Sequence, residues 1–100
     1  MAIIKQISVS AENTWSEKFN LSGDTDGFTP ARRALVSQYG GADNTITIRR
    51  YSPADGTTII SAIEITDSMT DLSIPVEGLY DIGIATGNFG SGPCLITVEQ

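Results

Sequence analysis

Apolar and polar positions alternate with a period of two through most of the chain, and that period predicts strands. The pattern is clearest near the C-terminus. From Leu79 to Thr86, Tyr80, Ile82 and Ile84 share one face and Asp81, Gly83 and Ala85 the other. From Cys94 to Glu99, Cys94, Ile96 and Val98 oppose Leu95, Thr97 and Glu99. Gly87, Asn88, Gly90, Ser91, Gly92 and Pro93 lie between, so the two runs read as a closing β-hairpin with a small, polar outer face.

Upstream, Ala2 to Ala11 sets Ile3, Lys5, Ile7 and Val9 against Ile4, Gln6, Ser8 and Ser10. Isoleucine on both parities at its start suits a strand end buried on two sides, one of them against a neighbouring subunit. Glu12 to Leu21 reads as a second strand with Trp15, Phe19 and Leu21 on one parity and Trp15 as its anchor. Asn44 to Tyr51 alternates strictly, Ser52-Pro53-Ala54-Asp55-Gly56 supplies turn chemistry, and Thr57 to Thr66 resumes with Ile59, Ile63 and Ile65 on one face. This predicts another hairpin. Asp67 to Gly78 holds Leu72, Ile74 and Val76 on one parity with Pro75 among them, which restricts it to an edge strand or a covering loop.

Thr29 to Gly41 fits two descriptions. Pro30 at a first helical position and Gly40 at the end suit a short helix. Arg33 to Tyr39 also alternates, as a strand turning back across Gly40-Gly41-Ala42-Asp43 would, and a plain strand follows. The strand is the preferred reading.

Thirteen isoleucines, whose branching at Cβ suits strands, strengthen the all-β expectation. The expected fold is a single antiparallel β-sandwich over residues 1–100, immunoglobulin-like or jelly-roll, with seven to eight short strands. A formal charge of −6 argues against a nucleic-acid partner, because phosphate binding needs clustered Lys and Arg. The pairs Arg32–Arg33 and Arg49–Arg50 each split across two faces of a strand, so neither makes a patch alone. The apolar run in Met1 to Ile7 is too short for a signal peptide or membrane helix, so synthesis in a cytosol and no membrane partner are expected.

Cys94 is the one cysteine and sits on the apolar parity of its strand, the place of a core filler. With no histidine, the commonest general base and transition-metal ligand are missing. Asp24 and Asp26 lie in an acidic turn, Ser22 to Phe28, but the calcium-loop spacing fails at Phe28 and Leu35. The carboxylates Glu64, Asp67 and Asp71, or Glu77 and Asp81, are the remaining candidates for an acid–base pair. Loop acids are common in an acidic protein, and the reading is non-enzymatic: no catalytic, cofactor or metal residues are assigned.

The stretch Glu77 to Gly92, with Tyr80-Asp81-Ile82-Gly83-Ile84-Ala85-Thr86-Gly87 followed by Phe89 and Ser91-Gly92, closes on Ile96-Thr97-Val98-Glu99-Gln100. It resembles the ending of small structural proteins encoded in the head-gene regions of tailed bacteriophages, and Thr45 to Tyr51 with its Asp55-Gly56 turn is similar to the hairpin preceding it there. The resemblance covers roughly half the chain and implies a virion component on the capsid surface, a decoration or cement protein whose partner is the major capsid protein. Such a protein gains by burying apolar surface at subunit junctions. Ile3, Ile4, Ile7, Trp15, Arg32 and Arg33 are the candidate interface residues, and a homo-oligomer, dimer or trimer, is expected. The alternative is a receptor- or carbohydrate-binding module of a phage tail or adhesin, with Tyr51 and Phe89 as stacking platforms.

Overall fold

A computed structural model of the chain describes residues 1–23 and 32–100. The strands are β1 (Ile3–Val9), β2 (Thr14–Trp15), β3 (Phe19–Leu21), β4 (Arg32–Tyr39), β5 (Ile46–Tyr51), β6 (Ile59–Ile65), β7 (Met69–Ile74), β8 (Gly78–Ile84) and β9 (Cys94–Glu99). They form two antiparallel sheets, one ordered β1-β9-β4-β7 and the other β2-β8-β5-β6, with β3 following β2 along the same side of β8. Among these strands, β5 and β6 alone make a sequential hairpin. The other links between β1 and β9 cross from sheet to sheet, apart from the step between β2 and β3. This is the double Greek-key order of a jelly roll, with β2 and β3 as one interrupted strand.

The all-β sandwich agrees with the sequence reading, but two expected hairpins are absent. β8 and β9 lie in different sheets, so Tyr80, Ile82 and Ile84 face Cys94, Ile96 and Val98 across the core instead of standing beside them. β4 is a strand, as preferred, yet it pairs with β7 and β9 and not with β5. Alternation identifies the inward face of a strand but carries no information about its neighbour. Thr29 to Ala31, and the acidic turn with Asp24 and Asp26, lie outside the described residues.

Both crossings meet at one end, where they are clasped together. Asn44 Nδ2 donates to the Ser91 carbonyl at 2.7 Å, and the Gly90 N–H donates to Asn44 Oδ1 at 2.8 Å. Ala42 and Ser91 add a backbone bridge. Gly90 is required by this contact, since a Cβ there would meet the carbonyl oxygens of Ala42 and Asp43, the latter at 2.7 Å. At the opposite end Gln100 clips the sheets: its Oε1 accepts from the Ser22 N–H at 2.7 Å and its Nε2 donates to the Ser22 carbonyl at 2.6 Å.

The core is one cluster of inward-facing side chains, including Val9, Leu21, Val36, Ile46, Ile48, Ile82, Ile84, Ile96 and Val98. Cys94 is a core filler, as expected, and burial pushes its thiol pKa up. The interruption between β2 and β3 overturns the shared parity of Trp15, Phe19 and Leu21. Trp15 pairs with Gly83 but Phe19 with Tyr80, a one-residue shift that turns Trp15 outward while Phe19 and Leu21 face the core. Ser16 bridges the slip: its N–H donates to the Ile82 carbonyl at 2.8 Å and its Oγ accepts from the Ile82 N–H at 3.2 Å. On β6 Ile65 alone of the expected face is buried, while Ile59 and Ile63 stay exposed. β7 is an edge strand ending just before Pro75, as the proline required.

Asn44→Ala leaves the Gly90 N–H and the Ser91 carbonyl without this partner inside the clasp, and is expected to cost about 2 kcal/mol in urea denaturation. A loss below about 0.5 kcal/mol would mean that the crossings hold without it.

In the β5–β6 turn Asp55 Oδ1 accepts from the N–H groups of Thr57 and Thr58, each at 2.9 Å, while the Thr58 hydroxyl donates to Oδ2. Those bonds, the Thr58 hydroxyl first, hold the Asp55 carboxyl down to about 2. A depressed carboxylate pKa adds turn stability above the unfolded value near 4, and that stability is lost as pH falls through 2. The Thr57 and Thr58 amide resonances should therefore titrate with a midpoint near 2 and stop titrating in Asp55→Asn. A midpoint near 4 would show an unbonded carboxylate.

Candidate interface surfaces

β5 and β8 set Arg49 directly opposite Asp81 on the outer face of their sheet. Arg49 Nε donates to Asp81 Oδ1 at 2.8 Å and Nη2 to Oδ2 at 2.6 Å, a two-pronged ion pair. The Tyr51 hydroxyl donates to the same Oδ2 at 2.6 Å. The Trp15 ring lies over the guanidinium, 3.5 Å from its carbon to the ring centre, and the indole N–H donates to Asn13 Oδ1 at 3.1 Å. Gly83 permits this layer, because a Cβ there would meet Thr14 O and lie 2.8 Å from Trp15 Cα. Lys18 completes it, with Nζ 4.3 Å from the Tyr51 ring centre and donating to the Gly56 carbonyl at 2.7 Å.

The electrostatics are those of a closed network. The hydrogen bond to Asp81 raises the Arg49 pKa above its ordinary value, and burial, followed by the bond to Asp81, raises that of Tyr51. Asp81 is 4% exposed, and both of its oxygens are occupied, Oδ1 by Arg49 and Oδ2 by Arg49 and Tyr51. The polar outer face expected for β8 is thus a buried one. Asp71, another acid–base candidate, is engaged by Arg33. Among the described residues no group of three or more His, Cys, Asp or Glu side chains is placed to hold a metal.

As the sequence implied, Arg49 and Arg50 point to opposite faces. Arg50 turns inward at the end of an apolar groove of about 320 Å³ between β6 and β7, lined by Ile48, Ile60, Ile63, Leu72 and Ile74. Its Nε is shielded from solvent without a hydrogen-bond partner among the described residues.

The interface candidates separate into three places. Ile3 and Ile4 are exposed at the start of β1, while Ile7 packs against the core. The N-terminal run is therefore not buried on two sides within the monomer. Trp15 lies on the other sheet, half-buried on Arg49. Arg32 and Arg33 are exposed at the β4–β7 side. The sequence reading missed the network itself. Arg49 and Asp81 each stand on the outward parity of a strand, a signal that becomes visible only once the two strands are paired.

The sequence matches no protein-family model or curated protein, and the structure matches no solved structure. The network therefore stands on its own geometry.

Asp81→Asn leaves Arg49 desolvated beside a neutral side chain, and is expected to cost about 3 kcal/mol, read by denaturation with the fluorescence of Trp15. The double variant Arg49→Met with Asp81→Leu should recover at least half of that loss, since an apolar pair carries no buried charge. Additive losses would contradict a coupled ion pair.

Proposed function

We propose that this is a non-enzymatic virion structural protein that binds the outside of a bacteriophage capsid as a decoration or cement protein. The observation that carries the reading is where exposed apolar side chains lie: Ile3 and Ile4 on β1, and Ile59, Ile60 and Ile63 on β6, are on strands at sheet edges. Strands in that position set apolar contact surface at the rim of the sandwich, where a small β protein can join a larger assembly. The resemblance of Glu77 to Gly92 and of the β5–β6 hairpin to phage head-region proteins supplies the setting, with the major capsid protein as partner. A cement protein that binds only the assembled shell stabilises it by linkage and needs no reaction centre.

The carbohydrate-binding alternative loses the platforms proposed for it. Tyr51 is 6% exposed and bonded to Asp81, and Phe89 packs against the core. Among the described residues, Tyr39, 82% exposed at the end of β4, is the open ring left to that reading. A jelly roll serves capsid and lectin domains alike, so the fold supports both readings equally.

Quantitative mass spectrometry of density-purified virions tests the proposal. A copy number near that of the major capsid protein is expected. A number typical of a vertex or tail part would favour the receptor-binding reading, and absence from the particle would overturn the virion reading altogether.

A further inference from the structure

Among the described residues, the sandwich has four edges, and three carry devices that discourage pairing with another chain. β1 is bulged between Ile3 and Lys5, and Lys5 forms an ion pair with Glu17. β2 and β3 are two and three residues long. β7 carries Asp71, paired with Arg33, and runs straight into Pro75.

β6 is different. It is seven residues long, Ile59-Ile60-Ser61-Ala62-Ile63-Glu64-Ile65, with one charge and neither lysine nor proline. Its register shift lies at the Ile59–Ile60 end, which leaves Ser61 to Ile65 regularly paired to β5. Ile59, Ile60 and Ile63 are 45%, 55% and 45% exposed, three of the five exposed isoleucines of the chain. A long, apolar, regular edge of this kind is a pairing site.

We propose that β6 pairs with β6 of a second copy, antiparallel across a two-fold axis at Ile63, joining the two β5–β6 sheets into one. Self-complementarity selects a second copy. Two chains of net charge −6 repel, and this edge brings one carboxylate from each, so the register must hold the two apart. Centred on Ile63, the regular segment sets Ile63 against Ile63, Ser61 against Ile65, and Glu64 against Ala62, so the two carboxylates never stand opposite. Any other residue in that segment as centre leaves fewer of its residues paired.

Five paired residues span about 17 Å of edge. The sandwich is 17 Å through its thinnest dimension. The footprint is that of a small interface, so association in the micromolar range is expected. The pairing uses the free protein and holds whether or not the protein docks on a capsid.

Sedimentation equilibrium of the full chain over a range of concentrations tests it. A monomer–dimer equilibrium is expected. Ile63→Lys, which sets two like charges together, should weaken it at least tenfold, while Ile3→Lys on β1 should leave it unchanged. Ile63→Cys should form an inter-chain disulfide on mild oxidation, because directly opposite residues of an antiparallel pair lie within disulfide reach. Ala62→Cys, which stands opposite Glu64, should not. The disulfide remains readable if Ile63→Lys fails to fold. A monomer at all concentrations to about 100 μM, well above a micromolar Kd, would overturn the proposal. So would a dimer sensitive to Ile3→Lys instead, or cross-linking of Ala62→Cys in place of Ile63→Cys.

Discussion

The Asp81 carboxylate is a charge placed on a strand with both faces covered, and much of the molecule is arranged around keeping it paired. β8 contributes Tyr80, Ile82 and Ile84 to the core on one side, while on the other Asp81 and Gly83 lie beneath Arg49 and Trp15. A carboxylate so desolvated is stable only if its counter-charge and hydrogen bonds are delivered with good geometry. β5 delivers both, Arg49 through two nitrogens and Tyr51 through its hydroxyl. The ion pair therefore requires the β5–β8 register, and the one-residue slip at Ser16 to Lys18 lets the same chain turn Trp15 outward and Phe19 inward.

The two sides of the sandwich are unequal. Where β1 faces β2 and β3, the edge is bulged or short, and Gln100 ties the sheets together through Ser22. Where β6 faces β7, an apolar groove separates the sheets and isoleucines meet solvent. Seven isoleucines are buried, so the core is already served, and the exposed ones on β6 lie on a strand whose outer backbone edge has no partner strand among the described residues.

The glycines of the C-terminal stretch acquire a physical reason from the same geometry. Gly83 makes room for Trp15 and Gly90 for the chain at Ala42 and Asp43. In this fold they serve packing: one seats an aromatic ring, the other closes the clasp between two sheet crossings.

Local pattern determined a good deal by itself. Alternation placed most of the strands and their inward faces, the Pro-Ala-Asp-Gly turn marked the β5–β6 hairpin, Pro75 marked an edge, and the parity of Cys94 marked a core position. These depend on nearest neighbours in sequence, where the strand period and turn chemistry act. Tertiary structure alone decided that β4 and β8 each cross to the opposite sheet, that Trp15 faces outward, that Arg49 meets Asp81, and that β6 is left as an apolar edge. Each of these depends on which strand lies alongside which, a pairing between residues about 30 or more positions apart for Arg49 and Asp81, and the period of two is identical whichever neighbour a strand acquires.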